Sequence, residues 1–262
     1  MSKICPLFSG STGNSTYIGT QNGGIIVDAG ASLKGITAAL ARAGGSLEEI
    51  KALVITHQHN DHIKGIRPFL NKTKVDLIAS AETLEALAEE DKIPSGIKVI
   101  PIEKDKLEVC GMGINRFATS HDCPGSSGYT FSLPDGKMVA VCTDLGFVSD
   151  DIRKELAGCC AVLLESNHDI NMLKKGPYPP LLKVRILSDK GHISNVACAA
   201  ELGNLLKNGT TRFILGHLSQ ENNTPQLARS SAEAALIDFG ALNGKDYILT
   251  VAAPSGNGVT VF

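Results

Sequence analysis

Three of the chain's seven histidines, His57, His59 and His62, fall within six residues, with Asp61 among them. The string Thr56-His57-Gln58-His59-Asn60-Asp61-His62 follows the β-branched run Leu53-Val54-Ile55 and so belongs in the loop at a strand's end. Neutral imidazole is the commonest biological metal ligand, and carboxylate completes shells for zinc or manganese. Four donors so close in sequence do not all reach one ion comfortably. A loop followed by a helical turn divides them between two neighbouring ions. The bland alternative is a solvated polar loop.

The string resembles the H-x-H-x-D-H motif of the metallo-β-lactamase superfamily. The family's remaining positions have counterparts here, each just past a predicted strand. Asp28 follows Gly24-Ile25-Ile26-Val27, His121 follows residues 114–120, Asp144 follows Val139-Ala140-Val141-Cys142-Thr143, and His217 follows Phe213-Ile214-Leu215-Gly216. The resemblance implies that Asp28 orients the histidine loop from behind the ligands. It also implies that His57, His59 and His121 hold one ion, that Asp61, His62 and His217 hold the other, and that Asp144 lies between them. Two divalent ions are therefore expected, zinc or manganese, with iron also accommodated. Taken singly, an Asp after a strand is more often a turn former, and a lone His is often structural.

The superfamily cleaves lactams, thioesters, lactones and phosphodiesters, so the fold alone does not name the reaction. Asp144 stands where a β-lactamase would carry a cysteine, and His62 follows Asp61 where many of those enzymes have a residue that cannot ligate a second ion in this way. Cys142 should share a face with Asp144 by strand alternation, and reads as core. Oxygen-rich coordination suits paired ions that neutralise phosphate charge. Further on, Gly191-His192-Ile193-Ser194 resembles the G-H-x-[ST] segment of the tRNA 3′-processing branch, in which the histidine is the general acid and a glutamate orients it. The resemblance assigns those roles to His192 and Glu165, and Asp61 is counted with them as catalytic. Helix capping by Ser194 or Asn195 is the plainer reading of the same segment.

The segments 10–15, 164–169, 176–179 and 216–225 resemble the bacterial YycJ (WalJ) family. Its members are regarded as nucleases, with 5′-to-3′ exonuclease action on DNA attributed to the group, so DNA is favoured over RNA as substrate. Only 20 residues separate Asp144 from Glu165, too few for the inserted domain of several nuclease relatives. Substrate contacts must then come from short loops. Lys183 and Arg185 lie in the basic stretch 172–192 and are candidate phosphate contacts, although a solvated helix face fits equally well. Asn14 and Ser15 close the Gly-rich loop 10–15, which either approaches a phosphate or is a hairpin turn. No G-K-[ST] follows, so no nucleoside triphosphatase activity is expected. His168, beside Glu165, is a further candidate for substrate contact or for support of the site.

These residues need strands whose ends meet at one edge. Strand-like runs are predicted at 4–8, 24–28, 52–56, 98–102, 114–120, 128–133, 138–143, 161–165, 212–216 and 247–252. Helices are predicted at 33–43, 81–89, 149–156, 195–207 and 224–239. Early strands read as hairpins and later ones alternate with helices. That pattern admits either a doubly wound α/β sheet or a sandwich. The resemblance selects an α/β fold of four layers, an αβ/βα sandwich of two mixed β-sheets, forming a single hydrolase domain over 1–262.

Charged residues make up 20% and the net charge is −2, which argues against a sequence-blind nucleic-acid coat protein but leaves room for a local basic groove. Seven cysteines without C-x-x-C spacing read as reduced thiols in a cytoplasmic protein. No apolar run approaches a spanning helix, and no membrane partner is expected. Two rival readings remain: a small-molecule phosphodiesterase or lactonase on the same metals, and a metal-bound regulatory module with little turnover. Native metal, strand polarity and oligomeric state stay open at this level.

Overall fold

A computed structural model describes residues 2–103, 106–255 and 260–261. The remaining few positions of the range 1–262 lie outside the described residues. The first sheet takes β1 (Lys3–Phe8), β2 (Ser15–Thr20), β3 (Gly23–Val27), β4 (Ile50–Val54), β5 (Asp76–Ala79) and β6 (Val99–Pro101) in chain order. The second takes β7 (Leu107–Val109), β8 (Met112–Ala118), β9 (Ser127–Ser132), β10 (Met138–Cys142), β11 (Ala161–Glu165), β12 (Arg212–Gly216) and β13 (Ile248–Val251). The short β14 (Thr260–Val261) returns to pair with β1. Both sheets are mixed. Antiparallel neighbours come first, β1 to β3 and β7 to β10, and parallel ones follow, β3 to β6 and β10 to β13. The hairpins-then-crossovers pattern is therefore run twice, once in each sheet.

The parallel connections carry the helices, as βαβ crossovers require. These are α1 (Leu33–Arg42), α2 (Asn60–Ile63), α3 (Ile66–Thr73), α4 (Ala81–Glu89), α5 (Asp150–Leu156), α6 (Ile170–Lys175), α7 (Pro180–Ile186), α8 (Asn195–Lys207) and α9 (Pro225–Asp238). Strand alternation sorts the side chains into three cores. Ile18, Ile25, Val27, Val54, Ile114, Phe131, Val141 and Leu163 fill the space between the sheets. Ile26, Leu53 and Leu77 pack beneath Ile36, Leu40, Phe69 and Leu87 of α1, α3 and α4. Ala140, Cys142, Leu164 and Leu215 pack beneath Ile152, Leu202 and Leu236 of α5, α8 and α9. Three cores between four layers make this the αβ/βα sandwich.

Cys142 is core, but it does not share a face with Asp144. The strand ends at Cys142, and Asp144 adopts a left-handed φ of 60°, so the period of two no longer applies. Strands β3 and β4 run parallel, as do β10, β11 and β12, and β8 has the direction of β10 through two antiparallel steps. The carboxyl ends of each set consequently face one edge.

Candidate metal centre

Each histidine of the cluster is placed by a different local device. His57 leaves β4 fully buried, with Nδ1 at 3.0 Å from the Thr56 hydroxyl and Nε2 without a hydrogen-bond partner among the described residues. His59 precedes α2, and that single turn carries Asp61 and His62. Asp28 accepts from the Thr56 backbone N–H (2.8 Å), the Thr56 hydroxyl (2.9 Å) and His62 Nδ1 (2.7 Å). A carboxylate can only accept here, so His62 carries its proton on Nδ1 and turns Nε2 toward Asp144 Oδ2 (3.3 Å) and Asp61 Oδ2 (3.5 Å). The close approach of this turn requires Gly30, where a Cβ would run into the Asp61 carbonyl oxygen.

The second sheet supplies the facing side. His121 follows β8, with Nδ1 at 3.2 Å from the Gly191 carbonyl and Nε2 at 3.2 Å from His59 Nδ1. Asp144 follows β10 and is buried. Glu165 ends β11 fully buried, and its Oε1 accepts from His217 Nδ1 at 2.7 Å and from His192 Nδ1 at 2.9 Å. His217 Nε2 then faces Asp61 Oδ2 at 3.4 Å. Asp28, Asp144 and His217 all hold positive φ, at 63°, 60° and 53°, each just past a strand. Non-glycine residues occupy that region at a cost of about 1–3 kcal/mol each, and such strain gathers at functional sites.

The charges divide the cluster, with His57 held neutral and His62 held protonated until an ion displaces its Nε2 proton. Burial, reinforced by the neighbouring imidazoles, holds His57 well below the ordinary histidine range, the neutral state a metal requires. Burial disfavours a charged His62 as well, yet Asp144 and Asp28 override it and raise His62 to about 9. Burial also works against Glu165 ionising, but His192 and His217 keep its carboxyl well below the usual carboxylate range. Where these side chains meet, a cleft of about 220 Å³ opens, with His59, Asp61, Asp144, His192 and His217 on its polar wall. Tyr178, Leu182, Arg185 and Ile186 line it as well.

Residues 9–217 match the family profile described as the metallo-beta-lactamase superfamily. The chain belongs to that superfamily. Among curated relatives, this chain is 38% identical over 258 residues to the exodeoxyribonuclease WalJ of Streptococcus pneumoniae serotype 2, covering 96% of this chain and 94% of that one. It is 36% identical over 235 residues to the exodeoxyribonuclease YycJ of Bacillus anthracis, covering 89% of each. Among solved structures, the metallo-beta-lactamase fold protein YhfI of Bacillus subtilis superposes with a TM-score of 0.71 at 14% identity, over 99% of this chain and 98% of that one. The short form of human tRNase Z gives 0.65 at 15% identity, over 99% and 98%. At such identities the likeness concerns the fold.

The donors of this superfamily member fit divalent ions. Ligand atoms of His57, His59 and His121 lie together with Cys123; His57, His62 and Asp144 form a second set, Asp61, His62 and His217 a third, and Asp144, Glu165, His192 and His217 a fourth, each within 4.8 Å. His57 Nε2 and Asp144 Oδ2 are buried without hydrogen-bond partners among the described residues, an arrangement that favours a cation between them. Apart from the Cys123 sulfur the donors are nitrogen and oxygen, a mixture that zinc and manganese accept.

Several expected contacts lie elsewhere. Ser15 is wholly buried as the first residue of β2 and does not reach the cleft. Asn14 donates through Nδ2 to Asp61 Oδ2 (3.2 Å) and sits 3.0 Å from His62 Nε2, so it braces candidate ligands, and Ser11 of the same loop lines the cleft instead. Lys183 turns away, donating to the Lys174 and Gly176 carbonyls (2.9 and 2.7 Å) where it closes the end of α6. Arg185, two residues and about half a turn further along α7, faces the cleft and pairs with Asp122. His168 is buried, with burial drawing its pKa down to about 4, and it is not part of the cleft wall. Its backbone pairs with Ser194 and Asn195. Ser194 does cap α8, accepting from Ala197 N–H at 3.2 Å, and His192 faces the cleft all the same.

Asp122 was not anticipated. Its Oδ1 lies 3.4 Å from both His59 Nε2 and His121 Nε2, and its place directly after His121 was the only sequence signal. Asn167 also lines the cleft and donates to the His217 carbonyl at 2.9 Å.

Proposed function

We propose that this chain is a metal-dependent phosphodiesterase, an exonuclease that shortens DNA from the 5′ end. The observation that carries the reading is His192. It stands in the cleft outside the three histidines and the Asp61–His62–His217 set, grouped instead with Asp144, Glu165 and His217, and its Nδ1 is already taken up by Glu165 at 2.9 Å. An imidazole anchored through Nδ1 offers Nε2 to the cleft as a proton donor. The exodeoxyribonuclease names of relatives aligned over nearly the whole chain favour DNA.

In this reading His57, His59 and His121 hold one divalent ion, and Asp61, His62 and His217 a second, with Asp144 shared. Zinc or manganese fits, and iron is tolerated. When bound, such ions supply positive charge that polarises a phosphoryl group and makes nearby water more acidic. The chain's own residues do the rest. Asp28 and Thr56 fix the imidazole tautomers, Glu165 fixes His217 and His192 together, and Arg185 meets a phosphate oxygen. Water adds to phosphorus in line and releases a proton to solvent, the P–O bond to the departing sugar oxygen breaks, and His192 Nε2 gives that oxygen its proton. The full chain 1–262 acts as a single unit, with its free thiols suited to the cytoplasm. No helix among the described residues is long and apolar enough to cross a membrane.

The test uses metal-loaded protein and oligonucleotides labelled at either end, DNA and RNA, single- and double-stranded. Stepwise shortening of DNA from the 5′ end is expected, abolished by chelation. No cleavage of any oligonucleotide with both metal sites filled would sink the nuclease reading and leave a small-molecule hydrolase of the same fold in its place.

A further inference from the structure

A sulfur stands among the three imidazoles of the first set. The ligand atoms of His57, His59, His121 and Cys123 lie within 4.8 Å of one another, while Asp144 borders that set, grouping with His57 and His62 and with Glu165, His192 and His217, its Oδ1 3.9 Å from His121 Nε2. His57 Nδ1 is engaged by Thr56, which leaves its buried, unpartnered Nε2 as the free donor of that group. Cys123 is half-buried and in no disulfide, so its sulfur carries no covalent bond that a metal would have to replace. Its loop is also held in place. Thr119 N–H donates to the Ser126 carbonyl at 3.0 Å, closing the turn that carries His121 and Cys123, and Gly125 takes the positive φ of 72° the turn requires.

We infer that Cys123 is a metal ligand. In the protein carrying one divalent ion, its thiolate joins His57, His59 and His121, and the thiol proton passes to solvent as the sulfur–metal bond forms. This rests on the metal centre proposed above and deepens it. Three imidazoles and a thiolate make a softer site than the oxygen-bearing set of Asp61, His62 and His217. Soft donors favour zinc, while carboxylates suit manganese. The first site is accordingly a zinc site, and the second accepts either ion.

Cobalt(II) added at one equivalent to metal-free protein separates the possibilities without any activity measurement. Visible ligand-field bands report that cobalt is bound by whatever donors, and a near-ultraviolet sulfur-to-cobalt band reports a thiolate. Native protein should show both. Cys123→Ser should keep the ligand-field bands, which also shows that the variant folds, and lose the sulfur band. Cys110→Ser, altered at a half-buried thiol between β7 and β8, should keep both. Zinc affinity of Cys123→Ser, measured by chelator competition, should fall about tenfold or more, with manganese affinity nearly unchanged. Ligand-field bands without a sulfur band in native protein, or a sulfur band that survives in Cys123→Ser, would overturn the thiolate proposal and leave the metal centre standing. Absence of both bands in native protein would bring down the centre and the thiolate with it.

Discussion

Glu165 Oε1 accepts from His217 and His192, and its Oε2 takes the backbone N–H groups of Ile193 at 3.1 Å and Leu145 at 3.4 Å. Four donors on one buried carboxylate leave it no alternative hydrogen-bonding pattern, and Gln would present an amide N–H₂ to donors. Two substitutions should therefore separate metal binding from proton donation. Glu165→Gln is expected to weaken metal affinity by about 10–100-fold through His217, and to lower turnover as well. His192→Ala should leave metal content and affinity unchanged while lowering kcat about 10²–10⁴-fold. Metal analysis beside single-turnover cleavage checks both, and metal loss in His192→Ala would make that residue a ligand, which its place near Asp144 and His217 would then explain. At this scale much of the site was legible, because histidine is rare here and four candidate donors crowd into six residues. What could not be read were the backbone angles. Nothing in the sequence marks Asp28, Asp144 or His217 as left-handed, and that conformation is what takes Asp144 off the face of Cys142.

The strands and helices translate those residues into positions. Tyr129 of β9 is buried in the core between the sheets, yet its hydroxyl donates at 2.8 Å to the Ile55 carbonyl, just before the histidine string. One phenol thus ties the second sheet to the loop that the first sheet presents. Tyr129→Phe keeps the ring's packing and removes only this bond, so urea denaturation should show a loss of about 1–2 kcal/mol with an unchanged m-value. A larger loss, or a changed m-value, would mean that the phenol supports packing as well. Elements with strong periodicity or flanking caps were readable, and β11, β12, α4 and α8 fall at their expected bounds. β2 was not, since Gly19 and its small polar neighbours hide the alternation. The Tyr17 ring lies where a Cβ on Gly19 would sit and covers the gap. The stretch 172–192 hid two short helices, and on α7 Leu182, Arg185 and Ile186 face the cleft while Lys183 does not. A count of basic residues carries no information about which side of a helix each one takes.

Across the whole molecule, the two sheets repeat one plan, hairpins and then parallel crossovers, and the metal donors gather where the strand ends of both copies face each other. Neither half holds the full donor set. Metal binding should therefore clamp one half to the other, and saturation at about 100 times Kd should add about 2.7 kcal/mol to stability, visible as a rise in Tm that chelation reverses. Charge sets the second expectation. The molecule is net −2, Arg185 is the one cation on the cleft wall among the described residues, and Lys183 is engaged elsewhere. Affinity for single-stranded DNA falls with salt by about 0.7 log units per decade for each phosphate that a cation neutralises. With few such contacts, the slope of log Kd against log salt should be shallow, roughly 1 to 2 in magnitude, and Arg185→Ala should reduce it by about 0.7. Binding measured on chelated protein isolates this term from the contribution of the ions. A slope several-fold steeper, unaffected by Arg185→Ala, would place the DNA along a basic track outside the cleft, and the cleft would then receive only the terminal nucleotide.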